Sequence, residues 1–325
     1  MTGEHRIIVE KRVVRYELVI RHKLNIIRGE SGSGKSLLES MVYENNMGVG
    51  STKIRSDLKP KAVRFITDIK TGIKEGFNLF IFDETVFKKL TSGDSGETVA
   101  ELVKDKPVYC IFITRECGKT CLPVDVGACY EIVEEKFTSR TIRRNEQLYE
   151  WKNDTRVLPT KMFTEDSKVG YSFFKNTLPN TEVVKLGGTG EITKFGKYVK
   201  KYVGEGDIAY LVADGCAFGF LMPYFMEERR VAEKYGYKIR LFLPASFEYM
   251  LLSCGIVPNV SIDRLINAYS YSRIEKYMSL EKYYEDYLSE VTSGKLSKNS
   301  KAFENYILRP RCVDKIYEYI KEIER

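Results

Sequence analysis

Gly29-Glu30-Ser31-Gly32-Ser33-Gly34-Lys35-Ser36 has a glycine, four residues and then Gly-Lys-Ser, the spacing of a P-loop. Each residue type answers a need of bound phosphate. Glycines let backbone N–H groups wrap a β-phosphate, Lys35 adds charge at the β and γ oxygens, and Ser36 offers a magnesium ligand at a helix N-terminus. The expected nucleotide contacts are Gly29, Glu30, Ser31, Gly32, Ser33, Gly34, Lys35, Ser36 and Leu37. The flanks agree: Leu24 to Arg28 reads as a strand, and Leu37, Leu38, Met41 and Val42 recur at helical spacing until Asn45, Asn46 and Gly48.

Upstream, Ile7, Val9, Val13, Leu18, Ile20, Leu24 and Ile26 mostly alternate with polar neighbours, which predicts strands over residues 6–28. Downstream, a strand is expected at Ala62 to Thr67, a short helix near Asp68 to Lys74, and further strands at Asn78 to Phe82 and Val108 to Thr114. This βαβ rhythm predicts a parallel sheet covered by helices.

Leu79-Phe-Ile-Phe-Asp-Glu84, an apolar strand ending in two acids, resembles the Walker B element of P-loop ATPases. On that resemblance the strand lies beside the loop strand, Asp83 holds magnesium through water, and Glu84 works with Lys35 in catalysis by orienting or deprotonating the attacking water. Thr114 and Arg115 end the next strand, where related ATPases keep a group that senses the γ-phosphate. The Asn-Lys-x-Asp signature for guanine is absent, so ATP with Mg²⁺ is the expected ligand. Leu90-Thr-Ser-Gly-Asp94 only faintly echoes a transporter signature and reads as a loop near the nucleotide. An arginine finger would come from Arg140, Arg143 and Arg144 or from a neighbouring subunit, so slow turnover and a homo-oligomer are expected.

The 325 residues, 43% hydrophobic and 30% charged, suffice for two domains. Seven cysteines without a Cys-x-x-Cys pair, and only His5 and His22 as histidines, argue against a disulfide framework or a zinc site. No run of about 18 apolar residues and no signal-like N-terminus is seen, so a soluble, cytoplasmic protein without a membrane segment is expected. The net charge of +7 permits contact with phosphate backbones. Charge-rich residues 134–160, ending at Pro159, read as a connector. The expected division is 1–145 for nucleotide binding, 146–160 as connector, 161–260 as a smaller α/β domain and 261–325 as a helical extension. Among the tyrosines of that extension, Tyr283, Tyr284 and Tyr287 at helical spacing are expected to pack rather than to stack on bases.

In the second half a strand from Lys161 runs into Glu165-Asp166-Ser167, and a strand at Glu182 to Lys185 precedes Gly187-Gly188-Thr-Gly190. An apolar strand, Ile208 to Ala213, then ends in Asp214-Gly-Cys216. The order resembles the Toprim domain that follows a P-loop ATPase in OLD-family (overcoming lysogenization defect) nucleases. The resemblance implies that Glu165 and Asp214 bind magnesium and position a phosphodiester of a nucleic acid. Cys216 stands where the family has a second aspartate and is a poor magnesium ligand, so Glu248 or Asp166 would have to replace it. Two other readings stay open: helix-capping carboxylates in a domain without metal, and an ATP-driven switch that orders Thr85 to Lys106 and acts on a protein partner.

Overall fold

The computed structural model describes residues 2–29, 32–91, 99–115, 122–149, 159–166, 168–296 and 305–323. The fold is mixed α/β and divides into two compact units, residues 1–150 with 269–279 and residues 151–268 with 280–325. Glu30, Ser31, Ser167 and most of the expected connector lie outside the described residues. Among the described residues no helix is long and apolar enough to cross a membrane.

The first unit runs β1 (His5–Lys11), β2 (Val14–Ile20), β3 (Leu24–Arg28), α1 (Lys35–Asn46), β4 (Lys53–Ser56), β5 (Pro60–Val63), α2 (Thr67–Lys74), β6 (Leu79–Phe82), α3 (Glu84–Thr91), α4 (Val99–Val103), β7 (Tyr109–Thr114), β8 (Cys129–Phe137) and β9 (Arg140–Gln147). These strands form one nine-stranded sheet in the order β4-β1-β2-β9-β8-β3-β7-β6-β5. The stretch from β8 through β3, β7 and β6 to β5 is parallel, while β1–β2, β1–β4 and β8–β9 pair antiparallel.

The edge strands β4 and β5 are joined by only residues 57–59, a link that spans at most about 14 Å. The sheet therefore curls until its edges approach, and α1 fills the hollow. Leu38, Met41 and Val42 of α1 are buried in one cluster with Ile7, Val9, Tyr16, Ile81 and Ile111. A hydrogen-bonded chain ties the curl: the His5 ring joins Asp57 in the edge link to the Tyr109 hydroxyl at the start of β7. Segment 269–279, expected in the helical extension, belongs to this unit, where the buried Lys23 ammonium donates to the carbonyls of Lys106 and Ile274.

Three expectations for this unit need correction. The Asp-Glu strand β6 is not beside β3, because β7 lies between them. Both β6 and β7 are buried at every position, so their apolar sequences carry no information about which is central. Residues 134–147 are not connector but most of the β8–β9 hairpin, held by paired charges: Arg143 with Glu134, Arg144 with Glu135 and Glu17, and Arg140 with Glu10. The strand expected to reach Thr67 stops at Val63, where Arg64 and Phe65 donate their backbone N–H groups to Asp68 Oδ2 and start the turn into α2.

The second unit runs β10 (Lys161–Thr164), α5 (Val169–Thr177), β11 (Glu182–Lys185), α6 (Thr189–Ile192), α7 (Phe195–Tyr202), β12 (Ile208–Val212), α8 (Met222–Lys234), β13 (Lys238–Phe242), α9 (Phe247–Ser253), α10 (Ile262–Ile266), α12 (Leu280–Val291) and α13 (Pro310–Ile323), while α11 (Ala268–Tyr271) falls, from Tyr269 on, in the segment that belongs to the first unit. Its sheet is all parallel in the order β11-β10-β12-β13. Tyr283, Tyr284 and Tyr287 are buried, with the Tyr287 hydroxyl accepting from Ser261 N–H.

Candidate functional site

Buried β3 delivers the chain into the glycine-rich loop at the carboxyl edge of the parallel strands, where ligands collect in such sheets. Gly29, Gly32 and Gly34 all have positive φ (148°, 91° and 85°), a backbone course that glycine follows without Cβ strain. Lys35 opens α1 yet is only 6% exposed, because its ammonium turns back into the loop and donates to the Gly29 carbonyl and to Ser33 Oγ (2.8 Å). Ser36 and Leu37 are exposed on the first turn of α1, whose N-cap Gly34 has no side chain to occupy the helix N-terminus.

The hairpin braces this loop. Tyr16 donates to the Gly34 carbonyl (2.7 Å) and accepts from Arg143 Nη1 (2.8 Å), and Arg143 is in turn held by Glu134. A Cβ at Gly34 would lie 2.5 Å from Arg143 Nη1, so the guanidinium packs directly on the glycine. Arg140, Arg143 and Arg144, the expected source of an arginine finger, are each committed to carboxylates.

Asp83 ends β6 and caps α3 by accepting from Val86 N–H (2.8 Å). Glu84 is the first residue of α3 and pairs with Lys88 (3.0 Å) and with Arg115 (3.4 Å), the residue after β7. With β7 inserted, Thr114 and Arg115 thus sit between the loop strand and the acids.

Two residues of this edge escaped the sequence reading. Glu39, one turn beyond Ser36 on α1, is 3% exposed, and its two oxygens lie 3.0 Å from Nε and Nη2 of Arg64, which follows β5. Burial pushes the Glu39 carboxyl up, Arg64 pulls it down and the Asp83 charge pushes it up again, so Glu39 and Asp83 are electrostatic neighbours. The only sequence signal was an acid placed between Leu38 and Met41 on the buried face of a helix.

In the second unit, Glu165 and Asp214 follow the adjacent parallel strands β10 and β12 and line one cavity of about 20 Å³ with Thr164, Asp166, Phe247 and Met250. Asp214 Oδ1 accepts from Phe247 N–H (3.1 Å), and Asp166 caps α5 through the N–H groups of Lys168 and Gly170. Thr164 Oγ1, 2% exposed, has no hydrogen-bond partner. Glu248 does not line the cavity. Phe247 and Met250 turn that face of α9 toward it, and the next residue after Phe247 points about 100° away on the helix, leaving Glu248 fully buried elsewhere. Cys216 is also fully buried. Among the described residues no group of three or more His, Cys, Asp or Glu is arranged to hold a metal ion.

Compared with protein-family models, curated proteins and solved structures, the chain matches none of them.

Proposed function

We propose that this chain binds ATP with magnesium through its glycine-rich loop and hydrolyses it slowly, as a P-loop ATPase joined to a Toprim-like unit. The observation that carries the reading is the loop itself: three positive-φ glycines between a buried strand and a helix N-terminus, with a buried lysine ammonium inside the turn. Burying an ammonium is costly, and the neutral Gly29 carbonyl and Ser33 hydroxyl offset that cost less than an anion would, which fits a lysine held in the turn for a phosphate. The donor set fits a nucleotide phosphate, and Ser36 with Asp83 would hold Mg²⁺, which supplies charge that neutralises the β and γ oxygens. Glu84 accepts the proton of the attacking water, and Lys35 holds the phosphate oxygens in place.

Isothermal titration calorimetry tests this. Lys35→Ala abolishes Mg²⁺-dependent ATP binding, whereas Glu84→Gln binds ATP and loses turnover. Absence of ATP affinity in the unsubstituted protein would refute the reading.

For the second unit, the cavity shared by Glu165 and Asp214 supports a two-carboxylate site for Mg²⁺ or Mn²⁺ acting on a nucleic-acid phosphodiester, with Asp166 lining the same cavity while capping α5. The helix-capping bonds of Asp166 and Asp214 favour a second reading, a regulatory domain acting through a protein partner. Assay of Mn²⁺-dependent cleavage of DNA and RNA by the unsubstituted protein and by Glu165→Gln separates the two.

A further inference from the structure

The carboxyl edge of the first sheet holds a guanidinium that no motif announced. Arg64 follows β5, and its backbone is fixed by Asp68. Its side chain is fixed twice over: Nε and Nη2 face the two oxygens of buried Glu39 at 3.0 Å each, and the guanidinium plane covers the Tyr43 ring at 4.4 Å. Both partners belong to α1, the helix that the glycine-rich loop opens, and Glu39 lies three residues beyond Ser36, hence on the same face. The carboxylate lies along the Nε–Nη2 edge of the fork, with a hydrogen bond from Nη2 to Oε2 and an ion-pair approach of Nε to Oε1, which leaves Nη1 and the outer Nη2 hydrogen for a second anion. The Arg64 side chain as a whole is 41% exposed, so solvent and ligands can reach it. Burying Glu39 is costly without its Arg64 partner, and an arginine held this rigidly loses little entropy when it meets a phosphate.

We infer that Arg64 is a catalytic arginine supplied in cis, contacting the transferred phosphate of the bound nucleotide, with Glu39 as the residue that positions it. This rests on the nucleotide reading above. In the step it serves, the water oxygen bonds to Pγ while the bond from Pγ to the β–γ bridging oxygen breaks. The electron pair leaves on ADP, and the water proton passes to Glu84 and on to the released phosphate. Arg64 offsets charge that builds on the γ oxygens in the transition state, so its effect falls on kcat more than on KM. No arginine from a neighbouring subunit is then required.

The test compares the unsubstituted protein with Arg64→Ala, Arg64→Lys, Glu39→Gln and the charge-neutral double variant Glu39→Gln/Arg64→Met, which folds without a stranded buried carboxylate. Calorimetry measures affinity for a slowly hydrolysed ATP analogue, and ADP with aluminium fluoride reports on capture of the transition-state geometry. Arg64→Ala and the double variant should keep nucleotide affinity within about threefold, lose roughly 10²- to 10³-fold in kcat, and fail to trap ADP–aluminium fluoride. Arg64→Lys should not restore turnover, because an ammonium cannot bridge Glu39 and a phosphate with a planar fork. Glu39→Gln should lose about tenfold in kcat at unchanged KM, and added guanidinium should partly restore Arg64→Ala. If the unsubstituted protein binds and hydrolyses ATP and the double variant turns over and traps like it, this inference is overturned and the nucleotide reading stands. If the unsubstituted protein does not bind ATP, both fall.

Discussion

Gly34 shows how much one missing side chain decides. Its φ of +85° is strained for any L-residue, and a Cβ there would also meet Arg143 Nη1 at 2.5 Å and the Tyr16 hydroxyl at 2.7 Å. Two costs therefore coincide, one of backbone and one of packing. Gly34→Ala is expected to destabilise the first unit by about 1–3 kcal/mol and to abolish ATP binding. Removing the clash with Arg143→Ala should recover some stability but no binding, since the φ requirement persists. Urea melts and calorimetry on the single and double variants check this, and a double variant that binds ATP normally would show that packing alone governs the position. Gly32, with φ +91° and nothing within 4 Å of where a Cβ would stand, carries only the backbone cost.

Among the elements, the β8–β9 hairpin is the one whose sequence misleads most and whose chemistry is most testable. Its charged residues are cross-strand and next-strand partners rather than a solvated linker. The hydrogen bond from Arg140 holds the Glu10 carboxyl below the usual glutamate range, and those from Arg143 and Lys136 do the same for Glu134. For an acid whose folded pKa lies below its unfolded value, the stabilisation is present above the unfolded value. It is lost as pH falls through the folded one. The first unit should therefore weaken below about pH 4.3, the ordinary glutamate value. Urea midpoints between pH 7 and pH 3 should show that loss, and Glu10→Gln/Glu134→Gln should flatten it while lowering stability at neutral pH. Because Glu134 also holds Arg143 against Gly34, the same variant should weaken nucleotide binding.

At the scale of the whole chain, the candidate site residues of each unit follow the carboxyl ends of parallel strands, in a mixed sheet in the first unit and an all-parallel one in the second. Among the described residues, the glycine-rich loop after β3 in the first unit is the one proposed above to hold a nucleotide. Binding to the folded state alone stabilises by mass action, so MgATP at a hundredfold above its Kd should add about 2.7 kcal/mol to the first unit. Thermal denaturation followed by calorimetry should show that gain in the unsubstituted protein and none in Lys35→Ala. An equal gain in both proteins would move the nucleotide site away from the loop.

What the chain's sequence determined by itself is local. The glycine spacing, the apolar run of β3 and the helical recurrence after it specify strand, loop and helix, because positive φ and amphipathic period are properties of neighbouring residues. The rhythm of strands and helices in both halves was legible for the same reason, as was the placement of Asp83, Glu84, Glu165 and Asp214 at strand ends. Tertiary structure decided what depends on pairing between distant residues. Uniformly apolar β6 and β7 could take either order, and the charges of β8–β9 found their partners only across strands. Glu39 meets Arg64, and Arg143 meets Gly34, across separations that no periodicity spans. Whether an acid near a strand end lines a cavity also depends on what carries it: Asp214 comes two residues after β12 and lines the cavity with Phe247 and Met250 of α9, whereas Glu248, the second residue of α9, is not among its lining residues.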